Sequence, residues 1–147
     1  MKAMKSDWTR IQEAQQAGLM VPTTNIGIRN KTELSVELWE YFKEQMPGYL
    51  GSFDQNECED ALYGINEYIK ENNIDKHLLD FPLVSGSNVD LIPISDNLEL
   101  KVTVIDEYYG DGDYHKCILV DSFLINKRTT RNDVDQLVAF INKYLTW

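Results

Sequence analysis

The feature that most constrains this fold is a pair of alternating runs between Leu98 and Ile125. Leu98, Leu100, Val102 and Val104 alternate with Glu99, Lys101, Thr103 and Ile105, the period of a half-buried strand. Tyr109-Gly110-Asp111-Gly112-Asp113 supplies turn chemistry, because its glycines accept positive φ. A second run, Tyr114 to Ile125, follows. Together they predict a long β-hairpin with strands at about 98–108 and 114–125.

Residue pattern predicts the register. With Tyr108 opposite Tyr114, Val104 meets Ile118, Val102 meets Val120 and Leu98 meets Leu124, giving one apolar face. On the other face Lys101 meets Asp121 and Glu107 meets His115, which are favourable cross-strand pairs. A slip by one residue would put the aliphatic side chains in water. The second face also carries Ile105, Cys117, Leu119, Phe123 and Ile125, so it needs a cover from the N-terminal half or from another subunit.

Helical signals flank this hairpin. Ser6 can cap a helix running to Ala17 with Trp8, Ile11 and Gln15 on one face, and Gly18 can end it. Leu19 to Lys31, with Pro22, Asn25 and Gly27, reads as a loop and a hinge. Thr32 can cap Glu33 to Gln45, whose stripe is Leu34, Leu38, Tyr41 and Phe42. Trp39 lies off that stripe and reads as the core margin in preference to an interface anchor. Asp54 to Asn72 carries a stripe of Cys58, Ala61, Leu62, Ile65, Tyr68 and Ile69. Asp54 with Glu57 resembles a capping box, Ser52 is the alternative cap, and Asn72-Asn73 suits a left-handed stop.

Asp75 to Leu79 reads as one more helical turn and Phe81 to Asn88 as loop or edge. Val89 to Ile94 is a short edge strand, as Pro93 requires, and Ser95-Asp96-Asn97 turns it into the hairpin. Thr130 with Asp133, or Asn132 alone, starts a last helix whose stripe is Val134, Leu137, Val138, Ile141 and Leu145. The expectation is an α+β fold: N-terminal helices, then an antiparallel sheet built on the long hairpin, with the C-terminal helix packed on one face. A chain of 147 residues suits a single domain over 1–147, or one in which residues 1–31 form an N-terminal helix plus hinge loop.

Charge narrows the function. The net charge is −10, and the middle of the chain holds most of it. Residues 51–98 carry two bases and ten acids, whereas residues 1–50 carry six of each. A nucleic-acid binder needs a basic face, and none of any size is visible. A basic protein partner fits better, because fields of this size steer oppositely charged proteins together. No apolar run approaches the ~20 residues of a membrane span. Residues 1–7 contain no apolar signal-peptide core, and Cys58 and Cys117 read as buried thiols in a reducing cytoplasm.

The first candidate site is the hairpin tip. Asp106, Glu107, Asp111 and Asp113 stand among Tyr108, Tyr109 and Tyr114, with no base before Lys116. Carboxylates accept bidentately from Arg, and Tyr gives contact area at low entropy cost. The second candidate is the acidic start of the middle helix, Asp54, Glu57, Glu59 and Asp60, which the helix dipole alone also explains. Asp111-Gly112-Asp113 begins like a calcium loop but lacks its sixth-position Gly and twelfth-position Glu, so no metal is expected. Nucleophile elbow, phosphate loop and dinucleotide fingerprint are absent from the sequence, and no cofactor is expected. A Cys117–His115 thiol site gives way to a buried apolar Cys117.

A small acidic α+β chain of this kind is similar to immunity proteins that neutralise bacterial toxins. The similarity implies a cytoplasmic bacterial protein that does no chemistry and blocks a basic, often nucleic-acid-cleaving toxin domain. The expected function is therefore a non-catalytic protein-binding inhibitor. Three alternatives stand beside it: a phage-type acidic inhibitor that mimics nucleic acid; a structural or assembly subunit, homodimeric through Leu119, Phe123 and Ile125; and a small hydrolase using His115 with Asp111 or Glu107.

Overall fold

The computed structural model describes residues 5–24, 27–49, 51, 53, 57–76, 87–108, 112 and 114–146; at 87, 88, 106–108 and 114–116 it describes the backbone only. The element order is α1 (Asp7–Ala17), β1 (Met20–Pro22), α2 (Glu33–Gln45), α3 (Cys58–Glu71), β2 (Ser87–Ser95), β3 (Leu98–Tyr108), β4 (Tyr114–Ile125) and α4 (Arg131–Tyr144). The strands form one antiparallel sheet in the order β1-β4-β3-β2. This is the expected α+β architecture.

The helices start where local chemistry dictates. The Ser6 hydroxyl accepts the Thr9 N–H, and Gly18 closes α1 in the left-handed conformation at φ 73°. Thr32 and Ser35 each accept the other's backbone N–H at the start of α2, at 3.0 and 2.9 Å. The Asp133 carboxylate accepts the Thr130 N–H at 2.8 Å where α4 begins. Its other oxygen accepts from the Ser95 hydroxyl at 2.7 Å, tying α4 to the end of β2. α3 differs from expectation: it begins at Cys58, its N-cap Glu57 makes no side-chain cap, and Asp54 and Ser52 lie outside the described residues. Asn73 at φ 52° provides the left-handed stop. Asp75 and Lys76 are not helical, and the rest of that expected turn lies outside the described residues.

α2, α3 and α4 pack on one face of the sheet. Leu38, Phe42, Ile65, Leu137 and Ile141 meet Val21, Leu100, Val102, Val104, Ile118, Val120 and Phe123 in the main core. α1 covers part of the other face, where Ile11 and Ala14 pack with Leu91 and Leu124. α1 thus supplies part of the cover for the second face from within the chain, over Leu91 and Leu124. Trp8, expected beside Ile11, is 57% exposed, and Ala14 takes the inward position. The expected hinge between residues 19 and 31 contains β1, which pairs Met20, Val21 and Pro22 with Leu124, Phe123 and Ser122.

The hairpin register holds from Tyr108↔Tyr114 to Thr103↔Leu119 and then shifts. Val120 and Asp121 together oppose Val102, a β-bulge, so Lys101 pairs with Ser122 and Leu98 with Ile125. The bulge corrects the expected faces: Phe123 and Ile125 turn into the main core, and Leu124 faces α1. An assembly face made of Leu119, Phe123 and Ile125 is therefore not formed, since only Leu119 of the three is partly exposed. The bulge is bonded from outside the ladder. The Val120 N–H donates to the Gly51 carbonyl at 2.6 Å, the Thr23 hydroxyl donates to the Val120 carbonyl at 3.1 Å, and the Thr23 N–H donates to the Asp121 carbonyl at 2.9 Å. Buried backbone groups need partners, and these supply them.

Candidate functional site

The hairpin tip is placed by its backbone. Tyr108 pairs with Tyr114, Glu107 with His115 and Asp106 with Lys116, so the sheet carries these residues opposite one another. Gly112 takes φ 77°, as a turn there requires. Tyr109, Asp111 and Asp113 lie outside the described residues, as do the side chains of Asp106, Glu107, Tyr108, Tyr114 and His115.

The acidic start of the middle helix is better defined. The apolar stripe of α3 turns Cys58, Ala61, Leu62, Ile65 and Ile69 inward. Glu59 and Asp60 are exposed in its first turn, where the helix dipole favours carboxylates, and Glu57 is partly exposed. One turn on stands Tyr63, 55% exposed, and one further turn on Glu67, also exposed. Tyr63 went unremarked in the sequence, where its signal is an aromatic out of phase with the helix stripe.

α2 adds a second acidic face. Glu33, Glu37, Glu40 and Glu44 fall at i, i+4, i+7 and i+11, and all four are exposed. The sequence hid this stripe because the first fifty residues sum to zero charge. The folded chain places two of the balancing bases, Lys5 and Arg10, at α1, which packs on the other face of the sheet. A groove of about 510 Å³ runs beside the stripe, bounded by Lys31, Thr32, Glu33, Val36, Glu37 and Glu40. Glu37 accepts from Arg131 at 3.3 Å.

Three partly exposed aromatics carry a cation of the chain. Lys43 Nζ sits 3.6 Å from the Trp39 ring centroid, Arg131 4.9 Å from that of Tyr41 and Lys143 5.1 Å from that of Tyr144. Trp39 also donates its indole N–H to the Thr24 carbonyl at 3.2 Å and packs at the core margin, the position its sequence phase implied. The Tyr41 hydroxyl donates to Asp135 at 2.6 Å, and that bond raises its pKa. Glu71 does the same for Tyr144. Among the described residues, none of the chain's own cations is placed over Tyr63.

A charged cluster wraps the outer edge of β2. Lys76 Nζ lies 2.5 Å from Asp7 and 3.1 Å from Asp90. Asp7 also accepts the Leu91 N–H at 3.0 Å. Burial pushes Asp7 up, but the Lys76 ammonium, the Leu91 N–H and Asp90 outweigh it and hold Asp7 below the ordinary range. Asp90, 8% exposed, is held above that range because burial outweighs its bond to Lys76. Burial lowers the Lys76 pKa, and the two carboxylates more than reverse this, so it stays an ammonium. Beside the cluster lies a groove of about 930 Å³, with Arg10, Glu99 and Leu124 in its walls. Its cations are committed to carboxylates of the chain: Lys5 to Glu13, Arg10 to Glu99 and Lys76 to Asp7 and Asp90.

Among the described residues no group of three or more His, Cys, Asp or Glu side chains could hold a metal ion, and no helix is long and apolar enough to cross a membrane. Cys58 and Cys117 are buried thiols. Comparison with known proteins finds no matching family model, curated protein or solved structure.

Proposed function

We propose that the protein is a non-catalytic inhibitor that binds a basic protein partner, in the manner of a cytoplasmic bacterial immunity protein that covers a nuclease-type toxin domain. The observation that carries this reading is the acidic outer surface of α2 and α3, where Glu33, Glu37, Glu40, Glu44, Glu59, Asp60 and Glu67 are all exposed. Such a surface attracts a basic partner at long range and repels nucleic acid. The hairpin tip belongs to the same reading through its carboxylates and tyrosines.

The test is capture of a partner on the immobilised chain, followed by binding kinetics against a salt series. A basic partner whose association slows as salt rises, and slows again when Glu33, Glu37, Glu40 and Glu44 become Gln, supports the reading. A captured partner that is acidic or neutral, with association indifferent to salt, rejects it. So does saturable binding of DNA or RNA at physiological salt.

A further inference from the structure

The outer face of α3 places one aromatic ring among carboxylates. Tyr63 stands away from the apolar stripe and is 55% exposed, one of two large apolar or aromatic side chains so exposed among the described residues. On a helix, residues three and four apart are neighbours. For Tyr63 those neighbours are Glu59, Asp60, Asn66 and Glu67; the three acids are exposed and Asn66 is partly exposed. The nearest base along α3 is Lys70, seven residues on. Among the described residues a cation of the chain lies over the Trp39, Tyr41 and Tyr144 rings, and none lies over Tyr63 or over Trp8, the other exposed ring.

We propose that the Tyr63 ring, with Glu59, Asp60 and Glu67 around it, is the seat for an arginine side chain of a basic partner protein. This rests on the reading of the chain as a binder of basic proteins. The ring face is the negative pole of its quadrupole and attracts a cation, more strongly as contact excludes water. Neighbouring carboxylates supply acceptors on the same helix face. Arginine suits the seat better than lysine: its planar guanidinium stacks on a ring, forks onto a carboxylate and is more weakly hydrated than an ammonium.

The test uses a short arginine-rich peptide with its lysine and citrulline counterparts, titrated into the isotope-labelled full chain and followed by NMR. Amide shifts centred on Glu59 to Glu67, with arginine binding tighter than lysine and citrulline not binding, are the expected result. Tyr63→Leu should weaken the arginine peptide roughly two- to fivefold, the span of an exposed cation–ring contact, and Tyr63→Phe should keep the affinity. Both variants lie on the surface, and unchanged spectra elsewhere confirm their fold. If the arginine peptide instead maps to Glu33–Glu44 and Tyr63→Leu binds like the parent, the seat is wrong while the acidic-binder reading survives. If neither cationic peptide binds on α2 or α3, both are wrong.

Discussion

Gly51 shows how one residue fixes the long hairpin. It sits at φ 74°, its carbonyl accepts the Val120 N–H, and a Cβ there would overlap the Val120 carbonyl oxygen. Gly51→Ala therefore combines a left-handed alanine, about 1–2 kcal/mol, with loss of a fitted contact at the bulge. We expect a fall in stability of at least about 2 kcal/mol, read as a lower denaturant midpoint at unchanged slope. Gly48, also left-handed but with open space around it, is the control and should show the backbone cost alone. Lys76 is the second decisive residue. Lys76→Met strands Asp7 and Asp90 together, and with the site about a quarter exposed we expect a loss of about 2 kcal/mol at pH 7. That loss should shrink as pH falls, because protonation relieves the stranded carboxylates. In the parent, Asp7 titrates below the ordinary value of about 3.9, so its contribution is present above that pH and disappears as pH falls through its lower folded value. Asp90 has the opposite sign, contributing in acid and losing that contribution as pH rises through its raised value. A variant whose deficit is the same at pH 4.5 and pH 7 would show that the cluster is not electrostatically coupled.

At the scale of elements, α1 is a cover held at the edge and by a small patch of its own. Asp7 occupies the outward N–H of Leu91, and the Tyr68 hydroxyl donates to the Pro93 carbonyl at 2.7 Å, so this stretch of the β2 edge is not open to another strand. Beneath α1, Ile11 and Ala14 pack on Leu91 and Leu124, separate from the main core. Ile11→Asp should free α1 and spare the rest. Hydrogen exchange should then accelerate in α1 while the amides of α4 stay protected; equal acceleration in both would mean one cooperative unit. Helices and caps were legible in the sequence because their signals are local: Ser6, Gly18, Thr32 and Thr130 act within one turn of themselves. The start of α3 was not, since it begins at Cys58 behind Glu57, and the expected Asp54–Glu57 box lies partly outside the described residues. β1 was not legible either, because three residues ending in Pro22 become a strand only by pairing with β4. The bulge was beyond reach for the same reason: its partners, Thr23 and Gly51, lie far away along the chain. Without it, alternation alone assigned Phe123, Leu124 and Ile125 to the wrong faces.

Over the whole molecule, net charge sets both cohesion and encounter. The acids of α2 and α3 repel one another across the surface, and a chain at −10 is destabilised by that self-repulsion. Moderate salt should therefore raise the melting temperature, and the gain should diminish once the screening length falls to about 8–10 Å. The acidic character of the candidate site was legible from composition. Its placement was only partly so: Glu59 and Asp60 were read from the sequence, but the α2 stripe and Tyr63 needed the folded helices to separate outer from inner faces. The hairpin tip gives the closing prediction, because its residues belong to a different stretch of the chain from these helices and can be changed independently. Neutralising Asp106, Glu107, Asp111 and Asp113 to Asn and Gln should slow association with a captured basic partner and flatten its salt dependence, while dissociation changes little. Truncating Tyr108, Tyr109 or Tyr114 should act on dissociation, by ~2 kcal/mol or more for an anchor. Surface plasmon resonance with the α2 and α3 variants alongside separates the contributions. If tip variants bind like the parent at every salt concentration while the α3 variants do not, the tip is a solvated turn and the binding surface is the helix layer. If the reverse holds, the carboxylates of α2 and α3 serve solubility and the long hairpin carries the contact.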